Sequence, residues 1–224
     1  MTAALILDFD GVIMDTESAV VEAWRDESTA RGVPFDEVAF LASLGVPSLR
    51  PERIAALLGA DADPADVTER IRARLRVTTA DLPVLPGVRE LVAEAAAAGV
   101  PVAVASGALR PWVEGHLARA GLLDAFAAVV CRDDVTAGKP APDLYVAALR
   151  RLGATASRSV AVEDSGPGLA AARAAGVRCV AVPGPTTTGH DLAGADLFLP
   201  SLAGARLPDL LPGPAPGQAR AGTA

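Results

Sequence analysis

Two carboxylates, Asp8 and Asp10, follow the apolar run Ala4-Leu5-Ile6-Leu7 and precede Gly11. Two residues apart in extended chain, their side chains share one face. Four apolar residues in a row read as a short strand buried on both sides. Such a strand delivers both acids to its carboxyl end, where Gly11 lets the backbone bend away. Carboxylates held close there repel each other and are costly to desolvate. A divalent cation resolves that conflict, because hard cations take oxygen ligands. A pair of turn-forming, solvated aspartates fits the same residues, and the pair alone does not choose between the two.

Three further polar signals occur downstream. Ser106-Gly107 follows the apolar run 102–105. A hydroxyl beside backbone N–H groups can hold phosphate oxygens, although Ser-Gly is also an ordinary turn. Lys139 lies between Gly138 and the prolines Pro140 and Pro142, which stiffen its surroundings. Glu163 and Asp164 follow the run 159–162 and precede Ser165, Gly166 and Gly168. A helix N-cap cluster accounts for one acid at that point, but not for two emerging from a buried strand.

Lys139 is the only lysine in the chain, whereas the other 19 basic side chains are arginine. An ammonium is a compact point charge on a flexible stem, and a guanidinium is a planar fork. The position that keeps the ammonium suits a charge set between an anionic nucleophile and a phosphate.

The elements that must position these groups follow from periodicity. From Glu17 the pattern is helical, with Ala19, Val20, Ala23 and Trp24 facing inward and Glu22, Arg25, Asp26 and Glu27 facing water. Asp15 and Thr16 are its N-cap candidates, and Gly32-Val33-Pro34 ends it. Further helices are predicted over 36–44, 51–58 and 64–76. Residues 16–81 therefore read as an all-helical insertion, and 82–87 as its return linker. Strands over 100–105, 127–131, 159–162, 177–182 and 196–199 then alternate with helices over 88–98, 111–120, 142–152 and 168–175. That order predicts an α/β fold, a doubly wound, mostly parallel sheet with helices on both faces. Its core domain comprises residues 1–15 and 82–210, and the proline- and glycine-rich 211–224 read as a disordered tail. In such a sheet, ligands bind beyond the carboxyl ends of the strands, where all four polar signals fall.

Composition narrows the partners. A net charge of −7 and a pI near 4.9 argue against nucleic acid. No apolar run reaches the roughly 18 residues of a membrane span, and no signal segment is recognisable. Cys131 and Cys179 sit in apolar, strand-like runs and read as buried free thiols. The expectation is a cytoplasmic monomer. His116 and His190 read as structural or solvated, and Trp24 and Trp112 as packing residues.

In this order and spacing, the four signals resemble the haloacid dehalogenase-like hydrolase superfamily over nearly the whole chain, up to about residue 200. Asp8-Phe9-Asp10-Gly11-Val12 is similar to its first motif, Ser106 to the second, Lys139 to the third and Glu163-Asp164 to the fourth. The helical insertion resembles the small cap of the branch that holds β-phosphoglucomutase and many sugar-phosphate phosphatases. The resemblance implies a Mg²⁺-dependent phosphatase acting on a small phosphorylated metabolite through an aspartyl phosphate. It assigns attack on phosphorus to Asp8, and proton transfer to and from Asp10. It gives Mg²⁺ to Asp8, the Asp10 main-chain carbonyl and Asp164 with Glu163 in support, and the phosphoryl oxygens to Ser106, the Gly107 N–H and Lys139. Glu17, Ser48 and Arg50, in or beside the cap, are candidates for reading the substrate.

Rival activities leave different traces. A dehalogenase has no use for the acid at Asp10 or for the metal. A phosphonate hydrolase needs a cap lysine, and none occurs before residue 139. A non-catalytic phosphosugar-binding module would lack one of the four signals. A sugar-phosphate mutase remains the alternative with an intact site, but its cap histidine and lysine have no counterpart in residues 16–81.

Overall fold

The apolar run after Thr2 becomes the centre of the molecule. In the computed structural model, which describes residues 2–42 and 49–213, β1 (Leu5–Leu7) is wholly buried. It lies between β2 (Val102–Ala105) and β4 (Val160–Glu163), with β3 (Ala128–Val130) outside β2. Beyond β4 come β5 (Arg178–Ala181) and β6 (Leu197–Phe198), giving the order β3-β2-β1-β4-β5-β6. Every pairing is parallel, so the sheet is more uniform than the mostly parallel one expected. The order reverses direction at β1, and the crevice beside that switch point is where a doubly wound sheet binds its ligand.

Alternation along β1 divides the interior into two layers. Leu5 and Leu7 face a core shared with α5 (Val88–Ala97), α6 (Arg110–Arg119) and α9 (Leu207–Leu210). Ile6 faces the other core, built with α7 (Asp143–Leu152) and α8 (Gly166–Ala174). A strand apolar at every position is what two covered faces require.

Between β1 and β2 the chain leaves the sheet to form α1 (Thr16–Ala30), α2 (Glu37–Leu41), α3 (Pro51–Leu58) and α4 (Pro64–Thr78). Local chemistry starts these helices. The Asp15 side chain accepts from the Ser18 N–H at the head of α1, Asp36 caps α2, and Asp63 caps α4 ahead of Pro64. The four helices have their own apolar cluster, with Trp24, Phe40, Ile54, Val67 and Ile71 at its centre. The outgoing and returning connections are joined where the Leu85 N–H donates to the Ile13 carbonyl at 2.9 Å.

Several expectations need correction. Glu27 does not face water: it is only 9% exposed, because α4 packs on α1 and brings Arg70 onto it. A helical pattern read from α1 alone cannot contain that partner. The tail starts later than expected, since Leu211 packs against the sheet core just after α9, a short helix the periodicity missed. The rest of the predicted tail, 214–224, lies outside the described residues, as does Ser48.

Candidate active site

The carboxyl ends of β1 and β4 set three buried acids and one ammonium together. The ligand oxygens of Asp8, Glu163 and Asp164 all lie within 4.8 Å of one another. Lys139 Nζ stands 2.7 Å from Asp8 Oδ1 and 2.5 Å from Glu163 Oε1. Glu163 has no solvent exposure and also accepts from the Tyr145 hydroxyl on α7. Asp164 accepts from the Thr187 hydroxyl at 3.3 Å.

The backbone is shaped around these carboxylates. Gly11 has a φ of +81°, and a Cβ there would be driven into the Asp164 carboxylate. A Cβ on Gly168, in the first turn of α8, would overlap the Glu163 carboxylate. Both glycines are therefore required by the acids they stand beside.

Asp10 is held differently. Its Oδ1 accepts from the Thr16 hydroxyl at 2.5 Å and from Trp112 Nε1–H at 3.1 Å. Its Oδ2 faces the Ser106 hydroxyl at 3.4 Å. Ser106 Oγ in turn accepts from the Ala108 N–H at 3.0 Å. Gly107 is exposed in the turn after β2, with open space where a Cβ would stand. Ser106 and Gly107 thus border the crevice from the β2 side.

Electrostatics show what the arrangement lacks. Burial pushes the Asp8 carboxyl well above the usual range, with repulsion from Glu163 next in weight. Burial also raises Asp164, followed by repulsion from Glu17 and Asp8. Glu17, whose carboxylate accepts from the Thr186 hydroxyl at 3.0 Å, is pushed up to about 7 by burial and by Asp10. Burial pulls the Lys139 ammonium down, but Asp8 and Glu163 outweigh it and hold the pKa above its ordinary value. One ammonium faces three carboxylates. The hard-oxygen donor set and its unbalanced negative charge fit a divalent cation.

The structure brings together Asp8, Lys139, Glu163 and Asp164, and places Asp10 against Ser106. Glu17 joins the rim through its interaction with Asp10 and Asp164. Arg50 does not join: it is exposed at the head of α3, and no contact among the described residues ties it to the acids. His116 and His190 are structural, as expected, through contacts to Trp112 and Thr79 and to the Leu41 carbonyl. Trp112, read only as a packing residue, also donates to Asp10. Thr16 stood out in the sequence only as an N-cap candidate, and Tyr145, Thr186 and Thr187 did not stand out at all. Each is a single hydroxyl on a helix or loop, a pattern that carries no signal without its carboxylate partner.

A family model described as haloacid dehalogenase-like hydrolase matches residues 2–176. The chain belongs to that family. Among its relatives is the fructose-1-phosphate phosphatase YqaB of Escherichia coli, 36% identical over 80% of this chain and 96% of YqaB. The phosphorylated carbohydrates phosphatase of Thermotoga maritima is 33% identical over 78% of this chain and 82% of its own length. The crystal structure of CbbY from Rhodobacter sphaeroides in complex with phosphate superposes with a TM-score of 0.78 at 35% identity. That match covers 94% of this chain and 99% of CbbY. The chain is thus an enzyme of the phosphatase branch of this family, with its α/β Rossmann-like fold.

Proposed function

We propose that this hydrolase removes phosphate from a small sugar phosphate by way of an aspartyl phosphate on Asp8, with Mg²⁺ to be held by the Asp8 and Asp164 carboxylates and the main-chain carbonyl of Asp10, whose side chain stays free for proton transfer. One observation carries the reading: the lone lysine of the chain is buried 2.7 Å from Asp8 Oδ1 at the switch point of the sheet. Relatives named as sugar-phosphate phosphatases support it, as does a CbbY structure in complex with xylulose-(1,5)-bisphosphate.

The chemistry follows from charge. A carboxylate attacks a phosphate dianion poorly, because both are negative. Lys139 offsets that repulsion at Asp8 and meets the charge that builds on the equatorial phosphoryl oxygens. Ser106 and the Gly107 N–H complete the phosphoryl cradle. Asp10 gives its proton to the leaving sugar oxygen as Asp8 forms its bond to phosphorus, then takes a proton from the water that releases phosphate. The cation, when bound, neutralises charge between carboxylates and phosphoryl group. Glu163, bound by Lys139 and Tyr145, fixes the ammonium and supports the metal site from behind. The helical segment, 16–81, acts as a cap that excludes bulk water, and Glu17 on its first helix reads the sugar from the rim. The same reading has the enzyme working as a cytoplasmic monomer without nucleic acid. No helix among the described residues is long and apolar enough to cross a membrane.

A mutase is the second reading, since it uses the same acids. The cap offers only arginine as a cation and no histidine, so nothing in it withholds Asp10 until sugar is bound. The deciding assay incubates the enzyme with Mg²⁺ and hexose or pentose monophosphates, with a trace of bisphosphate, and follows phosphate and isomers by NMR. Phosphate release without isomer is expected. Isomer forming faster than phosphate would overturn the hydrolase reading.

A further inference from the structure

The hydrogen bond from Trp112 to Asp10 has no place in the four signals from which the chemistry was read. Trp112 lies in the first turn of α6, and its indole Nε1–H donates to Asp10 Oδ1 at 3.1 Å. Its ring is partly buried against two clusters at once, the sheet core and the core of the helical segment. Its backbone carbonyl contacts His116 Nδ1 at 2.8 Å, and His116 Nε2 lies 3.0 Å from the Thr79 hydroxyl. Thr79 caps the end of α4, where the chain starts its return to the sheet. The His116 ring also lies tilted against Trp112, with centroids 4.3 Å apart, and 5.9 Å from Phe9, between the two aspartates. A continuous set of contacts therefore runs from the end of α4 to the carboxylate of Asp10.

Orientation is the consequence for Asp10. Two donors, Thr16 from the helical segment and Trp112 from the core, converge on Oδ1. Oδ2 is left facing Ser106, on the side of the phosphoryl cradle. A carboxyl group serves as acid only through an oxygen within reach of the leaving group. A rotation that exchanged the two oxygens would tie the proton-bearing one to Thr16.

We propose that Trp112 is a positioning residue: its N–H fixes Asp10 so that Oδ2 transfers the proton, and its ring ties that orientation to the seating of the helical segment. This rests on the phosphatase reading above. In the step concerned, Asp8 forms a bond to phosphorus and the ester P–O bond breaks. The departing alkoxide takes the proton from Asp10 Oδ2, leaving Asp10 ionised for the attack of water.

The test separates acid catalysis from general damage through the leaving group. A sugar alkoxide needs the proton, whereas p-nitrophenolate leaves without one. With Mg²⁺ present, kcat/KM is measured on fructose 1-phosphate and on p-nitrophenyl phosphate, because it reports steps through transfer to Asp8. Trp112→Phe keeps an aromatic ring, though a smaller one, and removes the N–H; Trp112→Leu is a second variant should the first fold poorly. Either should lose about tenfold or more on the alkyl ester, within the range for a general acid, and less than about threefold on the aryl ester. Asp10→Asn should show the same split, more strongly. Equal losses on both esters in a folded Trp112 variant, or no loss, would overturn the proposal while leaving the role of Asp10 intact. If Asp10→Asn itself shows no split, the acid assignment fails, and the role of Trp112 falls with it.

Discussion

Ion pairs serve two regions of this molecule in opposite ways. In the helical segment, Glu27 on α1 receives Arg70 from α4 through two hydrogen bonds, at 2.6 and 3.0 Å, and Arg31 at 2.8 Å. Arg70 also reaches Asp66, so cations and anions balance and the guanidinium heads border solvent. At the sheet switch point, Lys139 sits between Asp8 and Glu163 with only a tenth of its side chain exposed, and a third acid, Asp164, has no cation of its own among the described residues. The first region is neutralised and closes a helix pair. The second is left short of positive charge in a buried place, which is unfavourable for stability and useful for binding a cation and a phosphoryl group. Arginine builds the one and the lone lysine the other, as expected if a planar fork suits a carboxylate at a surface and a point charge suits a crowded reacting centre.

The contrast breaks most sharply at Asp8. Asp8→Asn keeps the shape and removes the proposed nucleophile, so turnover should fall by about 10⁴-fold or more, with a cooperative melt retained. Phosphate release within an order of magnitude of wild type would remove Asp8 from that role. Lys139→Arg comes next. It preserves charge but widens the head group between Asp8 and Glu163, and kcat should drop by about 10²-fold or more. Activity within about threefold, under ~1 kcal/mol of barrier, would mean that the two kinds of cation are interchangeable here.

A third test uses pH without metal. Glu17 is pushed up to about 7 in the folded protein, from the usual 4.5. Between those values the folded state holds a proton that the unfolded chain has lost. The share of stability that Glu17 contributes therefore falls as pH rises from about 4.5 through about 7, in addition to the declines of the same sign from the raised Asp8 and Asp164 carboxyls. Thermal melts of the metal-free protein across that window should show the summed decline, and Glu17→Gln should make it shallower. A variant whose melting temperature tracks wild type at every pH would place Glu17 in water instead. The smallest effect is expected at the balanced cluster. Arg70→Gln should cost about 1 kcal/mol of stability or less and leave kcat unchanged, as chemical denaturation and steady-state assay would record. A large loss of activity would mean that the helix pair and the crevice are not separate charge systems.

The sheet was legible because its strands are short apolar runs and its helices carry caps: all six strands and α1 to α8 were anticipated in order, with ends displaced by a few residues. Asp8, Asp10, Lys139, Glu163 and Asp164 could be singled out because each stands where a buried run ends or where composition makes it unique. What could not be read depends on neighbours far along the chain. Glu27 seemed solvated until α4 supplied Arg70. Trp112 looked like packing until its N–H met Asp10 across the crevice. Thr186 and Thr187 look like loop hydroxyls until Glu17 and Asp164 come within reach. Arg50 is a plausible cation by position that the fold leaves exposed at the head of α3.

The central place of β1 also has a consequence in time. Leu5 pairs with Val102 on one side and Val160 on the other, so the strand that leads into Asp8 waits for partners supplied much later in the chain. Closing such long loops is slow compared with forming local helical contacts. During synthesis on the ribosome, α1 to α4 can collapse on their own cluster while β1 is still an unpaired apolar segment with open edges. That segment is the natural target for a chaperone and the natural seed of aggregation. The crevice itself cannot exist in a nascent chain until Asp164 has emerged, so incomplete chains bear Asp8 without the buried acids and the strand that complete its surroundings.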